Sequence, residues 1–133
     1  EDVNGFTANW LTQVSFEPPM LAVSVENTSK SLPMILRTRK FTVNVLHAEQ
    51  RELAGALGKS ALKHPGKMAN IRYRIEATAY HVLQDGLAWV ACDVRHAIPA
   101  GDSTVIVTEI VDAGVLAEGP PLTMAAANFR HAG

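Results

Sequence analysis

Apolar and polar positions alternate along most of the 133-residue chain, and the period of that alternation predicts its elements. Met20–Glu26 (MLAVSVE) reads as a buried strand introduced by the Pro18-Pro19 pair. Proline fixes φ and cannot donate to a ladder, so it suits a strand entrance. Phe41–Leu46 (FTVNVL) alternates with period two, as a strand does. Ser29–Arg39 predicts a short helix, with Thr28 or Ser29 as N-cap and Pro33 in the first turn. Glu49–Leu57 predicts a second helix, with Leu53 and Leu57 one turn apart on a shared face. Lys59–Lys67 is a basic loop broken by glycine and proline.

The second half is β-rich. Ile75–Val82 and Leu87–Ile98 flank Gln84-Asp85-Gly86, and a DG step between apolar runs predicts a hairpin. In the longer run Val90, Cys92 and Val94 share one face, while Asp93 and Arg95 take the other. Pro99–Asp102 turns the chain into a strand over Ser103–Val111, and Leu122–Ala125 reads as a last short strand. No repeat, low-complexity tract or linker divides the chain, so residues 1–133 are read as one domain. Short antiparallel strands with two small helices inserted predict a closed or half-closed barrel. A doubly wound parallel sheet needs a helix between most strand pairs, and the second half offers none.

Charge narrows the picture further. Twelve Lys and Arg against 13 Asp and Glu give a net charge of −1, without the basic surplus of a nucleic-acid binder. An apolar content of 47% is that of a chain with a core, not of a disordered one. Cys92 is the single cysteine, which rules out an intrachain disulfide and fits a reducing, cytoplasmic setting. No apolar run approaches the roughly 18–20 residues of a transmembrane helix, and no signal-peptide pattern opens the chain. Standard catalytic kits are missing: no GxGxxG after a strand, no Walker A loop, no HExxH, no GxSxG. His47, His64, His81, His96 and His131 are scattered and do not cluster as metal ligands do. Cys92 reads as a buried thiol and Asp102 as a turn residue.

One segment does not fit this plain picture. Gly5–Ser31, GFTANWLTQVSFEPPMLAVSVENTSKS, sets hydroxyls and amides among Trp10, Leu11 and Val14. An isoalloxazine ring asks for donors to N5, O4 and O2, an acceptor for N3–H, and an apolar surface against one face. Thr7–Ser15 offers that mix without a charge. A phosphate asks for clustered hydroxyls and amides at a helix start, and ENTSKS offers those, with Lys30 adding charge. A hydroxyl-rich β segment followed by an ordinary N-cap accounts for the same residues. Spacing alone leaves both readings open.

The same segment, followed by FTVNVLHAEQRELA, LAWVACDV, IPAGD and EIVDAG, resembles the flavin reductase-like family in order and spacing over nearly the whole chain. The resemblance implies a mainly β fold, the FMN-binding split barrel: a six-stranded antiparallel Greek-key barrel with two or three short helices. It implies NAD(P)H-dependent reduction of FMN or FAD in a homodimer, with reduced flavin supplied to a partner monooxygenase and neither nucleic acid nor membrane involved. By position, Thr7, Ala8, Asn9 and Trp10 line the isoalloxazine, with Thr12 and Ser15 close by. Asn27, Thr28, Ser29, Lys30 and Ser31 hold the ribityl phosphate, and Lys67, in GKMA, matches a family lysine near the flavin tail. Asn44 and Gln50 fall on family positions too, Asn44 as a structural or a site residue.

The chain departs from the family pattern in two places. Where the family reads Gly-Asp-His, this chain has Gly101-Asp102-Ser103, and a hydroxyl cannot titrate near neutrality as imidazole does. That favours an alternative, an FMN-binding electron-transfer domain without NAD(P)H activity. The family's first strand has no counterpart before Glu1, which predicts about 20–25 further residues upstream, or a domain cut from a larger flavoprotein. Split barrels also host haem or a deazaflavin, and for haem His131 is the one candidate axial ligand. A purely structural domain would leave the polar segment without a purpose.

Overall fold

The computed structural model describes residues 3–77 and 79–128. Its elements run β1 (Leu11–Phe16), β2 (Pro19–Glu26), α1 (Ser31–Thr38), β3 (Lys40–Val45), α2 (Arg51–Leu57), β4 (Tyr73–Glu76), β5 (Tyr80–Leu83), β6 (Ala88–Ala100), β7 (Ser103–Val115) and α3 (Met124–Ala127). Five strands form one antiparallel sheet in the order β1-β2-β7-β6-β3, and β4 pairs with β5 in a second ladder. The 13-residue strands β6 and β7 are its spine. Gly101, at φ +63° in the turn between them, takes a left-handed conformation that glycine adopts without steric cost.

Two cores lie on opposite faces of this sheet. Alternation in β2 buries Leu21, Val23 and Val25 on one face. There Val23 and Val25 pack with Ile106 of β7, Val94 of β6, and Leu32 and Ile35 of α1, closed off by Phe6, Leu11 and Phe41. The alternate β6 residues Trp89 and Ala91 pack instead against Tyr80 and Val82 of β5. Gly114 is the register partner of Trp89, and a Cβ there would overlap the indole, so glycine is what lets the ring lie against β7.

The β4–β5 hairpin is fastened to the main sheet by side chains instead of a ladder. Asn44 of β3 donates from Nδ2 to the His81 carbonyl at 3.1 Å and accepts the Leu83 N–H on Oδ1 at 3.0 Å. Its amide thus stands in for one step of backbone pairing. At the other end of the strand, Tyr80 Oη donates to Asp93 Oδ1, and Lys40 Nζ donates to the same oxygen at 2.9 Å and to Tyr80 Oη at 3.1 Å. Gln50 secures the entry to α2, accepting from His47 N and donating to the Asp85 carbonyl.

The Asp93 cluster makes stability depend on pH. Burial works against an ionised Asp93, yet hydrogen bonds from Tyr80 and Lys40 outweigh it and hold the carboxyl below its usual value. A carboxyl held lower in the folded protein than in the unfolded chain adds stability above the unfolded value, and that contribution is lost as pH falls through the folded one. Stability should therefore drop below about pH 4. Asp93→Asn should flatten this acid limb in urea melts, and a limb of unchanged slope would detach Asp93 from it.

Several sequence expectations need correction. Ile75–Val82 is two strands: the chain reverses where Ala79 N–H bonds the Glu76 carbonyl and Ala77 takes φ +48°. The apolar positions change phase there, from Tyr73 and Ile75 to Tyr80 and Val82, which one continuous strand would not do. The Asp85-Gly86 step does not join paired strands, because β6 is already flanked by β3 and β7. Leu122–Ala125 is not a strand. Thr123 Oγ1 accepts from Ala126 N and caps α3, whose alanines favour helix, and Asn128 ends it in a left-handed conformation. The first helix begins at Ser31, and its flanking Lys30 makes no side-chain cap. No described helix is long and apolar enough to cross a membrane. His131 lies outside the described residues.

Candidate functional site

Residues 3–10 form an extended approach to β1 that is tied down at both ends. Asn4 Nδ2 donates to Ser31 Oγ at 2.7 Å, and Thr7 Oγ1 donates to the Ala54 carbonyl of α2. The Trp10 carbonyl accepts from Ser24 N at 2.9 Å, extending the β1–β2 ladder by one step. Asn9 and Trp10 are thereby held at the mouth of an open groove of about 300 Å³, with Thr12 of β1, Ala22 and Ser24 of β2, and Val105 of β7 as its floor. The floor residues share a face because Thr12 is paired with Ala22 and Ser24 with Val105. Asn9 Oδ1 is buried and accepts no hydrogen bond.

Past the groove, β2 runs on to the turn before α1. Ser24 to Asn27 spans three residues, about 10 Å. Asn27 is fully engaged: N–H to the Asp102 carbonyl at 2.9 Å, Nδ2 to the Gly101 carbonyl at 3.3 Å, and Oδ1 accepting from Thr104 Oγ1 at 2.8 Å. It holds the β6–β7 turn against the start of α1. Ser29 Oγ accepts from Ser31 N at 3.1 Å, so the first amide of α1 is already satisfied. Ser31 itself is buried, and Thr28 is exposed in the turn. Ser103 is buried with its hydroxyl 3.3 Å from Asp102 Oδ1, and its pairing with Glu26 sets it one alternation beyond Val105 on the groove side of β7.

Lys67 reaches this end from the loop after α2. Its Nζ donates to the carbonyls of Leu57 at 2.9 Å and Lys59 at 2.8 Å, closing the C-terminal end of α2. Burial lowers its pKa, and the nearby Lys30 ammonium lowers it further. Two cations therefore sit in each other's field beside the turn.

The structure gathers Asn9, Trp10 and Thr12 into the groove, and Asn27, Ser29, Lys30, Ser31 and Lys67 around the turn that follows β2. It does not bring Ser15 there. Ser15 pairs with Met20 beyond a bulge in β1, about 13 Å along the strand from Leu11. Thr7 is turned to α2, and Ala8 is exposed. Sequence reasoning missed Ala22, Ser24 and Val105, although the alternation that buries Val23 and Val25 also turns Ala22 and Ser24 outward. It missed Asn4 and Thr104 as well, whose partners lie 27 and 77 residues away. Among the described residues no three His, Cys, Asp or Glu side chains gather where they could hold a metal ion.

The family described as flavin reductase like domain matches residues 1–133. The chain belongs to this family. A flavin reductase of Pseudomonas putida is 29% identical over 120 residues, covering 90% of this chain and 69% of its own length. The FMN reductase (NADH) RutF of Variovorax paradoxus is 34% identical over 106 residues, covering 79% of this chain and 58% of its own. The solved styrene monooxygenase flavin reductase SMOB of Pseudomonas putida S12 superposes with a TM-score of 0.77 at 26% identity, over 90% of this chain and 74% of its own. The chain spans 69% of the length of the Pseudomonas putida flavin reductase and 33% of that of a probable flavin reductase of Rhizobium meliloti. For a domain of this family the orphaned Asn9 oxygen is informative. A flavin carries one imide N–H on its pyrimidine edge, and an amide oxygen with no other partner is its complement. The residues present fit a flavin.

Proposed function

We propose that this domain binds a flavin mononucleotide portion along β2 and reduces it with NAD(P)H. The observation that carries the reading is the buried, unpartnered Asn9 Oδ1 of a residue lining the groove, with the Lys30–Lys67 pair at the turn that follows β2. Asn9 would accept from the flavin N3–H. Ala22 and Val105 would supply the apolar floor for one ring face, Trp10 would border it, and Thr12 and Ser24 would offer hydroxyls at its edge. Lys30 and Lys67 would neutralise the phosphate, while Asn27 and Ser29 hold the turn that positions them. A bound flavin supplies hydride acceptance at N5, so the protein's share is orientation, charge and an open face for the nicotinamide. No side chain of the groove has to move a proton, which agrees with its lack of acids and bases.

The same reading includes a homodimer, for which the exposed Trp10, Val14 and Phe16 offer apolar surface, and a cytoplasmic setting. Its partner would be a monooxygenase that consumes reduced flavin, a role supported by the likeness to the styrene monooxygenase flavin reductase. FMN or FAD as the flavin, and NADH or NADPH as donor, belong to it equally. The second reading, an FMN-binding electron-transfer domain, draws on Ser103, whose buried hydroxyl replaces a titratable group beside the groove.

The phosphate seat has its own test. Lys67→Met keeps the side-chain length but removes the charge, and a lost hydrogen bond to a charged group costs about 1.5–3 kcal/mol. FMN affinity should fall tenfold or more by fluorescence titration, while riboflavin, which has no phosphate, binds as before. An equal loss for both would move the phosphate away from Lys67.

A further inference from the structure

Thr7 is not among the residues that line the groove, and its hydroxyl is spent on one long-range bond, donated to the Ala54 carbonyl of α2. That carbonyl does not depend on it, because it already accepts the Gly58 N–H at 3.0 Å. A Cβ at Gly58 would meet Thr7 Oγ1 at 3.6 Å, so the hydroxyl sits directly against the end of the helix. The helix is a fixed point of the fold. Gln50 ties its start to the Asp85 carbonyl at 2.9 Å, Lys67 closes its end on the Leu57 carbonyl at 2.9 Å, and Ala54 and Leu57 are buried.

Three residues further on, the Trp10 carbonyl accepts from Ser24 N at 2.9 Å. Only Ala8 and Asn9 separate these two fixed points. Asn9 Oδ1 is buried and accepts nothing, so the backbone on either side sets where that oxygen lies. We infer that Thr7 is a positioning residue of the flavin seat, whose bond to α2 holds Asn9 Oδ1 ready for a ring imide N–H. This rests on the proposed role of Asn9 as the acceptor of the flavin. Phe6, packed against the core beneath the sheet, keeps the segment attached without that bond. The Thr7 hydroxyl therefore serves the placement of Asn9, not the attachment of the chain. An acceptor held in place before its ligand arrives spares the complex the cost of ordering it.

Thr7→Val is the deciding variant: it removes the hydroxyl, keeps the β-branched shape and leaves the Ala54 carbonyl satisfied by Gly58. Fluorescence titrations with FMN and with riboflavin, and thermal melts, compare it with Thr7→Ser, Asn9→Leu and the Thr7→Val/Asn9→Leu double variant. Thr7→Val should weaken both flavins about three- to tenfold, the ordering of one side chain, with Tm kept within about 3 °C. Thr7→Ser keeps the donor and should bind as the unsubstituted protein does. In the double variant the Thr7 change should cost nothing beyond Asn9→Leu, because both act on one hydrogen bond. Additive losses would overturn the inference, as would unchanged affinity in Thr7→Val. A larger fall in Tm would make the hydroxyl a support of the fold and overturn it too. Failure of the unsubstituted protein to bind either flavin would instead sink the flavin seat, and the positioning role with it.

Discussion

Replacing Asn9 with leucine should stabilise the flavin-free protein and, in the same molecule, weaken its hold on FMN. The two effects share one cause. Asn9 Oδ1 is out of solvent and accepts nothing, and a buried acceptor without a donor costs about 1–3 kcal/mol. Leucine has a similar volume and no such oxygen, so it removes the cost, and a gain near 1 kcal/mol raises Tm by about 4 °C in a domain of this size. If that oxygen is kept for the flavin imide, the substitution also deletes the hydrogen bond that repays the cost in the complex. FMN affinity should then drop about tenfold, the equivalent of 1.4 kcal/mol. Scanning calorimetry without flavin and fluorescence titration with it give the two readouts. A fall in both stability and affinity would mean that Asn9 supports the fold, and unchanged FMN affinity would remove it from the site.

Asn44→Leu should be the most damaging single change outside the cores. The substitution leaves the Leu83 N–H and the His81 carbonyl without partners under the β4–β5 hairpin. Each orphaned group costs about 1–3 kcal/mol, so a total near 3 kcal/mol and a Tm lowered by about 10 °C are expected. A two-stranded hairpin is marginal alone, so its order depends on what fastens it. Tyr80, bonded to Asp93 and Lys40, secures one end and Asn44 the other. Hydrogen exchange at the Leu83 amide should therefore accelerate in the variant far more than at Ile106 in the main core. Uniform acceleration at both would mean that the hairpin and sheet open together, and unchanged exchange at Leu83 would show that the Asn44 amide bears little of the attachment.

These two residues also mark how far the sequence could be read. The strands of the main sheet follow from period-two alternation because one of their faces is buried, as in Leu21, Val23 and Val25. The β4–β5 turn was legible as well, in the phase change between Ile75 and Tyr80, but a run of β-forming residues masked it. The α3 segment turned on Thr123 and three alanines, local helix signals stronger than the short apolar pattern at Leu122. The hydroxyl- and amide-rich opening stretch was visible as chemistry, yet its residues divide between roles that composition cannot separate. Asn9 keeps a buried oxygen without a partner, whereas Thr7, Asn27 and Ser31 spend their polar groups on holding other segments. Ser15 shows the opposite failure. It sits in the right stretch, but a bulge and the length of β1 carry it away from the groove. The Lys30–Lys67 pair is a tertiary meeting of residues 37 positions apart, which no local pattern announces.

On the proposed reading the groove along β2 seats a flavin and leaves one ring face open to a nicotinamide. An anaerobic titration of the protein with FMN, followed in the same cuvette by NADH and then NADPH, puts both halves of that reading to the test. Saturable binding of FMN followed by bleaching of its absorbance on addition of one of the two donors is the result predicted. Binding without bleaching would contradict the reductase and leave the electron-transfer reading. No binding at all would contradict the flavin seat itself.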